Sequence, residues 1–189
     1  ELGRVTLGHS GAFELGAATA VALLPAEQLG IVVLTNSQPI GVPEALAKSF
    51  FELVTYGRVT QDWLARFRPI FEQMAQDGHS PIDYAARIPA PVHALAPTCY
   101  AGRYLNDLYG PLDILRRGRA LTMRQGLTPT EFSLTHYNHN TFYYSTTGEN
   151  AVGLSGVTFT IGATGAAIHV TVENLDREGL GTFTRTASR

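Results

Sequence analysis

The chain has 189 residues, of which 44% are hydrophobic and 16% charged, so it can form one sizeable core or two smaller ones. A net charge of −2 provides no general electrostatic reason to bind nucleic acid or an anionic membrane surface. The single cysteine, Cys99, excludes an internal disulfide, and no apolar run approaches the roughly 20 residues needed to span a bilayer.

The first 36 residues are rich in strand-forming patterns. Residues 4–9 lead into His9-Ser10-Gly11-Ala12-Phe13, where Gly8 and Gly11 allow another backbone or a ligand to approach closely. Two near-continuous apolar runs follow, and a short polar turn at 25–28 joins them. This pattern predicts adjacent strands that are buried on both faces.

His9 and Ser10 invite interpretation as a base and a nucleophile. Consecutive side chains on a strand point to opposite faces, so the two are poorly placed to share a proton. A Gly-x-Ser-x-Gly elbow is also missing, because Ala12 occupies its last position. Taken alone, His9 is better explained as a histidine hydrogen-bonded at a sheet edge.

Two helices are predicted next. The first begins near Pro43, has Glu44 in its first turn, ends at Gly57 and carries an apolar stripe of Leu46, Phe50, Leu53 and Val54. The second begins near Thr60 and ends at Gly78, with a bend expected near residues 65–66 because Pro69 removes a donor. Its stripe consists of Trp63, Phe67, Ile70, Phe71 and Met74, which favours packing over cofactor binding.

Prolines 81, 89, 91 and 97 then indicate an extended connector. From residue 98 onward, turn residues separate eight short β-rich runs, which predict a small closed barrel or a sandwich. Such a barrel has room for packed side chains or for one small ligand. The runs are 100–106, 111–117, 120–125, 131–136, 141–145, 152–161, 167–172 and 181–186.

Two weaker patterns lie within the barrel. His136 and His139 resemble metal ligands, but their spacing on a strand end and the lack of an acidic or cysteine cluster favour a solvated loop. A basic hairpin invites a nucleic-acid interpretation, yet its apolar residues alternate as in a half-buried strand, which favours a solvated face. It carries Arg116, Arg117, Arg119 and Arg124, with Tyr143 and Tyr144 further on. No metal, cofactor or nucleic-acid partner is predicted.

His9-Ser10-Gly11 matches the His-x-Gly form of the third motif of the penicillin-recognising serine hydrolases. This family includes class C β-lactamases, D,D-peptidases and related esterases, and the chain also resembles it in the run Val32-Val33-Leu34-Thr35-Asn36 before an amphipathic helix. The resemblance implies that His9 orients or polarises the substrate, Gly11 leaves room for its backbone and the Ala12 N–H donates to the oxyanion. Ser10 and Phe13 are the implied substrate contacts.

The catalytic set is incomplete. The family attacks with a serine that has a lysine three residues later, whereas the one lysine here is Lys48 and Ala45 stands three residues before it. Tyr104-Leu105-Asn106 spells the family's Tyr-x-Asn motif, but it follows the third motif and is interpreted as coincidence. The nucleophile is therefore expected on an upstream segment, and the chain alone is expected to be catalytically incomplete.

Tyr100-Ala101-Gly102-Arg103-Tyr104 and the Tyr-Gly-Pro turn that follows resemble the lipocalin-like tail of some of these hydrolases. The expected class is α+β, with residues 1–57 closing a β-lactamase-like domain, 58–97 forming a helix and connector, and 98–189 forming the barrel. The first hypothesis is the C-terminal part of a hydrolase acting by acyl transfer on an amide or ester. The second is a binding or regulatory module for a small ligand, cell-wall material or the catalytic domain.

The partners expected are the upstream catalytic segment or a second copy of the chain, because isolated apolar strands would expose their edges. In the parent, the substrate is expected to be a small molecule or a peptide. The family resemblance implies work outside the cytoplasm, although nothing else in the sequence indicates a compartment.

Overall fold

A computed structural model describes residues 4–13, 15–126 and 128–186. The chain divides into two compact units. The first comprises the residues up to Gly78 together with 147–151, and the second comprises 79–146 and the residues from Val152 onward.

The first unit contains a three-stranded antiparallel sheet. Its strands are β1 (Leu7–Phe13), β2 (Ala17–Leu24) and β3 (Leu29–Thr35), in the order β1-β2-β3. A 3₁₀ turn at Pro25–Glu27 joins β2 to β3. This turn lies where the polar break in the sequence predicts one.

Two helices accompany this sheet, α1 (Val42–Tyr56) and α2 (Trp63–Gly78). Both lie close to their predicted positions, and α1 packs against β2 and β3. The predicted apolar stripe of α1 is wrong, because Leu46, Leu53 and Val54 are 50%, 53% and 55% exposed. The helix instead buries a face that includes Ala45 and Ala47. Small side chains allow the helix to lie close to the alanine-rich face of β2, whereas the spacing of the large apolar residues favours the opposite face.

The prediction that the strands are buried on both faces is also wrong within the described part of the chain. Burial alternates along β3, where Val32 and Leu34 are 64% and 73% exposed. The helix α1 covers the side of the sheet on which Ala18 and Ala20 are buried. The sheet therefore has one packed face and one open apolar face.

Glu52 closes the loop between the two helices. Its carboxylate accepts the Thr60 hydroxyl at 2.5 Å and the Thr60 backbone N–H at 2.7 Å. These two hydrogen bonds hold the pKa of Glu52 below its ordinary value of 4.5, and the bond from the hydroxyl has the larger effect. The carboxylate therefore stabilises the folded state at pH values above 4.5. This stabilisation is lost as the pH falls through the lower pKa of Glu52 in the folded state.

We expect Glu52→Gln to lower the melting temperature at pH 7, and the difference from the unsubstituted chain to narrow as the pH falls below about 4.5. Thermal unfolding followed by circular dichroism between pH 3 and pH 7 measures both effects, with Glu72→Gln at an exposed position of α2 as the control. A difference that does not change with pH would contradict this interpretation.

The second unit begins with residues 79–96, which contain no regular helix or strand, and a one-turn helix α3 (Pro97–Tyr100). Eight antiparallel strands then form a closed barrel in the order β10-β11-β4-β5-β6-β7-β8-β9. Each predicted β-rich run corresponds to one strand, and closure decides for the barrel over the sandwich. The strands are β4 (Gly102–Asn106), β5 (Gly110–Arg117), β6 (Ala120–Gln125), β7 (Thr130–Asn138), β8 (Thr141–Ser145), β9 (Leu154–Ile161), β10 (Ala167–Val172) and β11 (Thr182–Arg185).

Large side chains fill the interior of the barrel. The ring centroid of Tyr100 lies 5.2 Å from that of Phe142 and 4.8 Å from that of Phe159. Met123 and Phe183 are fully buried. Together these residues form one continuous hydrophobic cluster with inward residues of the other strands. The barrel is therefore packed with side chains, one of the two fillings that eight strands allow, and its stability comes from this core.

The α+β class is confirmed only in part. Within the described ranges, helices longer than one turn occur in the first unit, whereas the barrel unit is almost entirely β. The chain combines an antiparallel sheet carrying helices with an all-β barrel, and the label describes only the first of these.

Candidate functional site

Strand β1, which carries the His-x-Gly motif, lies at the edge of its sheet. Among the described residues it pairs with β2 alone, and His9, Ser10 and Ala12 are exposed. Gly8 lets the two strands lie close together, since an added Cβ would be 2.9 Å from the carbonyl oxygen of Val21. The motif is therefore open to a ligand or to another segment.

The register separates the motif residues onto two faces. His9, Gly11 and Phe13 lie opposite Val21, Thr19 and Ala17, on the open face of the sheet. The space beside Gly11 is limited by the Thr19 hydroxyl, which would lie 3.3 Å from an added Cβ and donates to the Gly11 carbonyl oxygen at 3.3 Å. His9 and Gly11 are therefore brought together on an accessible surface.

Ser10 and Ala12 lie on the other face, opposite the buried Ala20 and Ala18. The Ser10 hydroxyl donates to the carboxylate of Glu44 in the first turn of α1. His9 and Ser10 therefore lie on opposite faces of β1, and the Ser10 hydroxyl is directed toward the helix.

Glu44 is a residue whose role sequence reasoning missed. Its position in the first turn of α1 indicated only a favourable interaction with the helix dipole. In the structure one carboxylate oxygen accepts from Ser10 and the other is buried without a partner among the described residues. Ser10 and Glu44 are 34 residues apart, so no local pattern could have indicated the pair.

The Tyr-x-Asn sequence in β4 has structural roles. Tyr104 is fully buried and donates its hydroxyl to the Tyr100 carbonyl oxygen at 2.6 Å, and burial raises its pKa to about 12. The Asn106 side-chain amide donates to the carbonyl oxygens of Leu180 and Thr182. These contacts explain both residues without reference to catalysis.

The other two patterns also have local explanations. The His136 ring nitrogen Nε2 lies 3.1 Å from the His139 carbonyl oxygen. In the described ranges, no group of three or more His, Cys, Asp or Glu residues is arranged to hold a metal ion.

The basic hairpin contributes to a row of alternating charge on the outside of the barrel. Arg103, Asp113, Arg124 and Glu131 lie directly opposite one another across β4 to β7. The Arg124 guanidinium lies 2.7 Å from the Asp113 carboxylate, and Arg117 lies 3.4 Å from Glu131. Acidic neighbours thus balance part of the basic charge, as a solvated face requires.

None of the helices in the described part of the chain is both long enough and apolar enough to cross a membrane.

A family model described as "Domain of unknown function (DUF3471)" matches residues 86–182. This chain is similar to the crystal structure of the C-terminal domain of penicillin binding protein Rv0907, with 30% sequence identity and a TM-score of 0.48. The match covers 56% of this chain and 100% of that domain. A comparison with curated proteins found no match.

Two further solved structures are similar at 17% identity. The match to the crystal structure of SurE with D-Leu covers 96% of this chain and 35% of SurE, with a TM-score of 0.38. The match to the octameric penicillin-binding protein homologue from Pyrococcus abyssi covers 91% of this chain and 32% of the homologue, with a TM-score of 0.26. The chain therefore spans about a third of the length of each of these two proteins.

Proposed function

We propose that this chain, which belongs to the family described as "Domain of unknown function (DUF3471)", is the C-terminal part of a β-lactamase-like serine hydrolase. The predicted relationship to penicillin-recognising proteins is confirmed by 30% identity over the whole of a penicillin-binding protein's C-terminal domain. The proposed parent acts by acyl transfer on an amide or an ester, such as a β-lactam, a D-amino-acid peptide or a small ester.

The observation that supports this proposal is the exposed edge strand β1, with His9 and Gly11 on its open face. In the proposed mechanism His9 orients or polarises the substrate carbonyl group, and Gly11 leaves room for the substrate backbone. The Ala12 N–H donates to the oxyanion. In comparable sites one such donor lowers the activation barrier by about 3 kcal/mol. Phe13 is the proposed apolar contact on the same face.

Ser10 has a different part in this proposal. The Ser10 hydroxyl donates a hydrogen bond to Glu44. We therefore propose that Ser10 contacts the substrate through its backbone. The pair also links β1 to α1 and thereby holds the motif strand in place. The attacking serine and its lysine lie on the upstream segment, since the sequence contains no Ser-x-x-Lys.

The proposal also assigns a role to the open apolar face of the sheet. Leu7, Leu23, Val32 and Leu34 are all more than 40% exposed there. Exposed apolar patches of this kind mark interaction surfaces. We expect the upstream catalytic segment to pack on this face and to leave a cleft at His9 and Gly11 for the substrate, or a second copy of the chain to cover the face when that segment is missing.

Covalent labelling tests the proposal. We expect the 189-residue chain alone to take up neither a fluorescent penicillin nor a fluorophosphonate, because it lacks the nucleophile. The parent reading frame should be labelled once, at a serine upstream of Glu1 that precedes a lysine by three positions. Intact-protein mass spectrometry quantifies both reactions, and heat-unfolded parent protein is the control for non-specific acylation.

Stoichiometric labelling of the chain at any serine, Ser10 included, would contradict the proposed division of the catalytic set. An unlabelled parent that lacks an upstream Ser-x-x-Lys would contradict the hydrolase assignment itself.

The alternative function, a binding module, is constrained by the packed barrel. Large buried side chains occupy the interior, so a ligand held inside it, as in a true lipocalin, is not favoured. A binding function is better placed on the outer surface of the barrel unit, where open grooves lie among the described residues.

A further inference from the structure

A groove on the outside of the barrel unit combines tyrosine rings with a cation. It encloses about 330 Å³, which is within the range typical of small-ligand sites. Residues 84–91 of the connector form one wall, and β7 and β8 form the other through His136, Tyr137 and Tyr143. We call this feature the tyrosine groove.

The aromatic side of the tyrosine groove is rigidly built. Tyr84 stacks on Tyr143 with the ring planes at 19° and meets Tyr137 edge-on at 4.9 Å between ring centroids. Tyr84 is 5% exposed, whereas Tyr137 and Tyr143 are half-buried and present part of their rings to the groove. A ligand would therefore meet preformed aromatic surfaces.

Glu173 holds the connector in this position from behind. Its carboxylate accepts the Ser80 hydroxyl at 2.8 Å and the Gly156 N–H at 2.7 Å. Burial, reinforced by the neighbouring Glu173 carboxylate, raises the pKa of Tyr84 well above its usual range. The Tyr84 hydroxyl therefore stays protonated and its ring is held in place. The Glu173 carboxylate already accepts hydrogen bonds from Ser80 and Gly156.

The charge that lines the groove belongs to Arg87. No aspartate or glutamate is among the described residues that line it. Arg87 is exposed and has no acidic partner within the described part of the chain. The nearby Asp83 carboxylate accepts N–H groups of its own loop, from Ala85 and Ala86.

Three side chains that line the groove offer hydrogen-bonding groups to a ligand. The hydroxyls of Tyr137 and Tyr143 have no hydrogen-bond partner among the described residues, and Arg87 offers the guanidinium fork that matches a carboxylate. Flat rings, by contrast, suit the face of another ring or of a sugar. A ligand that satisfies both features carries a carboxylate on a flat or cyclic body.

We propose that the tyrosine groove binds a small carboxylate with a cyclic body, Arg87 pairing with the carboxylate while Tyr137 and Tyr143 contact the ring. The proposal is independent of the hydrolase assignment, because all the residues involved belong to the barrel unit. An aromatic acid and a sugar acid share this chemistry, and the choice of probes distinguishes them.

Titrations of the ¹⁵N-labelled chain test the proposal. The probes are benzoate with its neutral isostere benzamide, and methyl glucuronide with methyl glucoside. At least one carboxylate should shift the backbone amides of residues 84–91 and 136–143 saturably, with a dissociation constant in the millimolar range. Its neutral counterpart should bind at least about fivefold more weakly, because the charge-assisted contact is lost.

Arg87→Gln should weaken binding of that carboxylate about tenfold and remove its advantage over the neutral probe. Arg116→Gln, at another exposed arginine of the barrel unit, is the matched control and should leave the affinity unchanged. Arg87→Lys preserves the charge without the fork and should give an intermediate affinity.

Three results would overturn the proposal: no saturable shift in the groove with either acid up to about 20 mM, equal affinity for acid and neutral isostere, or unchanged affinity in a folded Arg87→Gln variant. Binding of benzoate alone would identify the ligand class as aromatic, and binding of methyl glucuronide alone would identify it as a sugar acid.

Discussion

Replacing Arg185 by methionine should destabilise the barrel by about 3 kcal/mol, because it leaves several carbonyl oxygens without their donor. The Arg185 guanidinium donates to the carbonyl oxygens of Cys99 at 3.2 Å and Ala167 at 3.0 Å, and also to that of Ala101. It further lies 5.8 Å from the centre of the Tyr104 ring. One side chain thus connects the segment before β4 with β10.

This position matters because the barrel closes there. Among the described residues, strand β11 pairs with β4 at two positions, Thr184 opposite Leu105 and Arg185 opposite Tyr104. Arg185 supplements a short ladder from both sides of β11. Methionine keeps the length and much of the apolar surface of the stem but donates nothing, so the substitution isolates the hydrogen bonds.

Urea unfolding followed by far-ultraviolet circular dichroism measures the effect. Arg116→Met, at an exposed site on β5, is the matched control and should lie within about 0.5 kcal/mol of the unsubstituted chain. Arg185→Lys should be intermediate, because an ammonium lacks the planar fork. A free energy of unfolding unchanged in Arg185→Met would show that the three carbonyl groups are equally well satisfied by water.

The second substitution, Gly156→Ala, should cost about 2 kcal/mol through overpacking. An added Cβ would lie 2.0 Å from the Tyr84 hydroxyl oxygen, 2.8 Å from Cζ of the same ring and 3.0 Å from the Glu173 carboxylate. The stacked ring cannot retreat without losing its contacts with Tyr137 and Tyr143. We therefore expect the connector around Tyr84 to detach from the barrel.

A double-mutant cycle with Tyr84→Ala tests this explanation. Once the ring is absent, Gly156→Ala should cost much less, so the two substitutions should show a coupling energy of at least about 1 kcal/mol. Hydrogen exchange at residues 80–92 should accelerate in Gly156→Ala while the amides of β5 and β6 stay protected. Equal costs in both backgrounds would place the effect in the backbone of β9 rather than at Tyr84.

The barrel could be predicted well because its signals are local. Short β-rich runs separated by turn residues correspond to β4 through β11, with bounds that shift by a few residues, as at Thr130–Asn138. The barrel closes because its first strand, β4, pairs with its last, β11, and the two strands are about 80 residues apart in the chain. No local pattern specifies such a pairing, so the sequence left the sandwich open as an alternative.

The candidate site was predictable to a similar degree. His9-Ser10-Gly11 was found by its motif, and the alternation of a strand placed His9 and Ser10 on opposite faces. The partner of Ser10 was not predictable, because Glu44 reaches it only after α1 packs on the sheet. The tyrosine groove was missed for the same reason, since Tyr84 meets Tyr137 and Tyr143 only when the connector folds back on the barrel.

By itself the sequence determined the strands, the two long helices, the connector and the third-motif resemblance, since periodicity, turn residues and short motifs act over a few neighbouring positions. Tertiary structure decided which faces those elements bury. Leu46 and Val32 look like core residues in sequence but are exposed, whereas Ala45 and Ala18 are buried where α1 lies on β2. An apolar side chain gains from burial, but only the arrival of a distant segment supplies the surface that buries it.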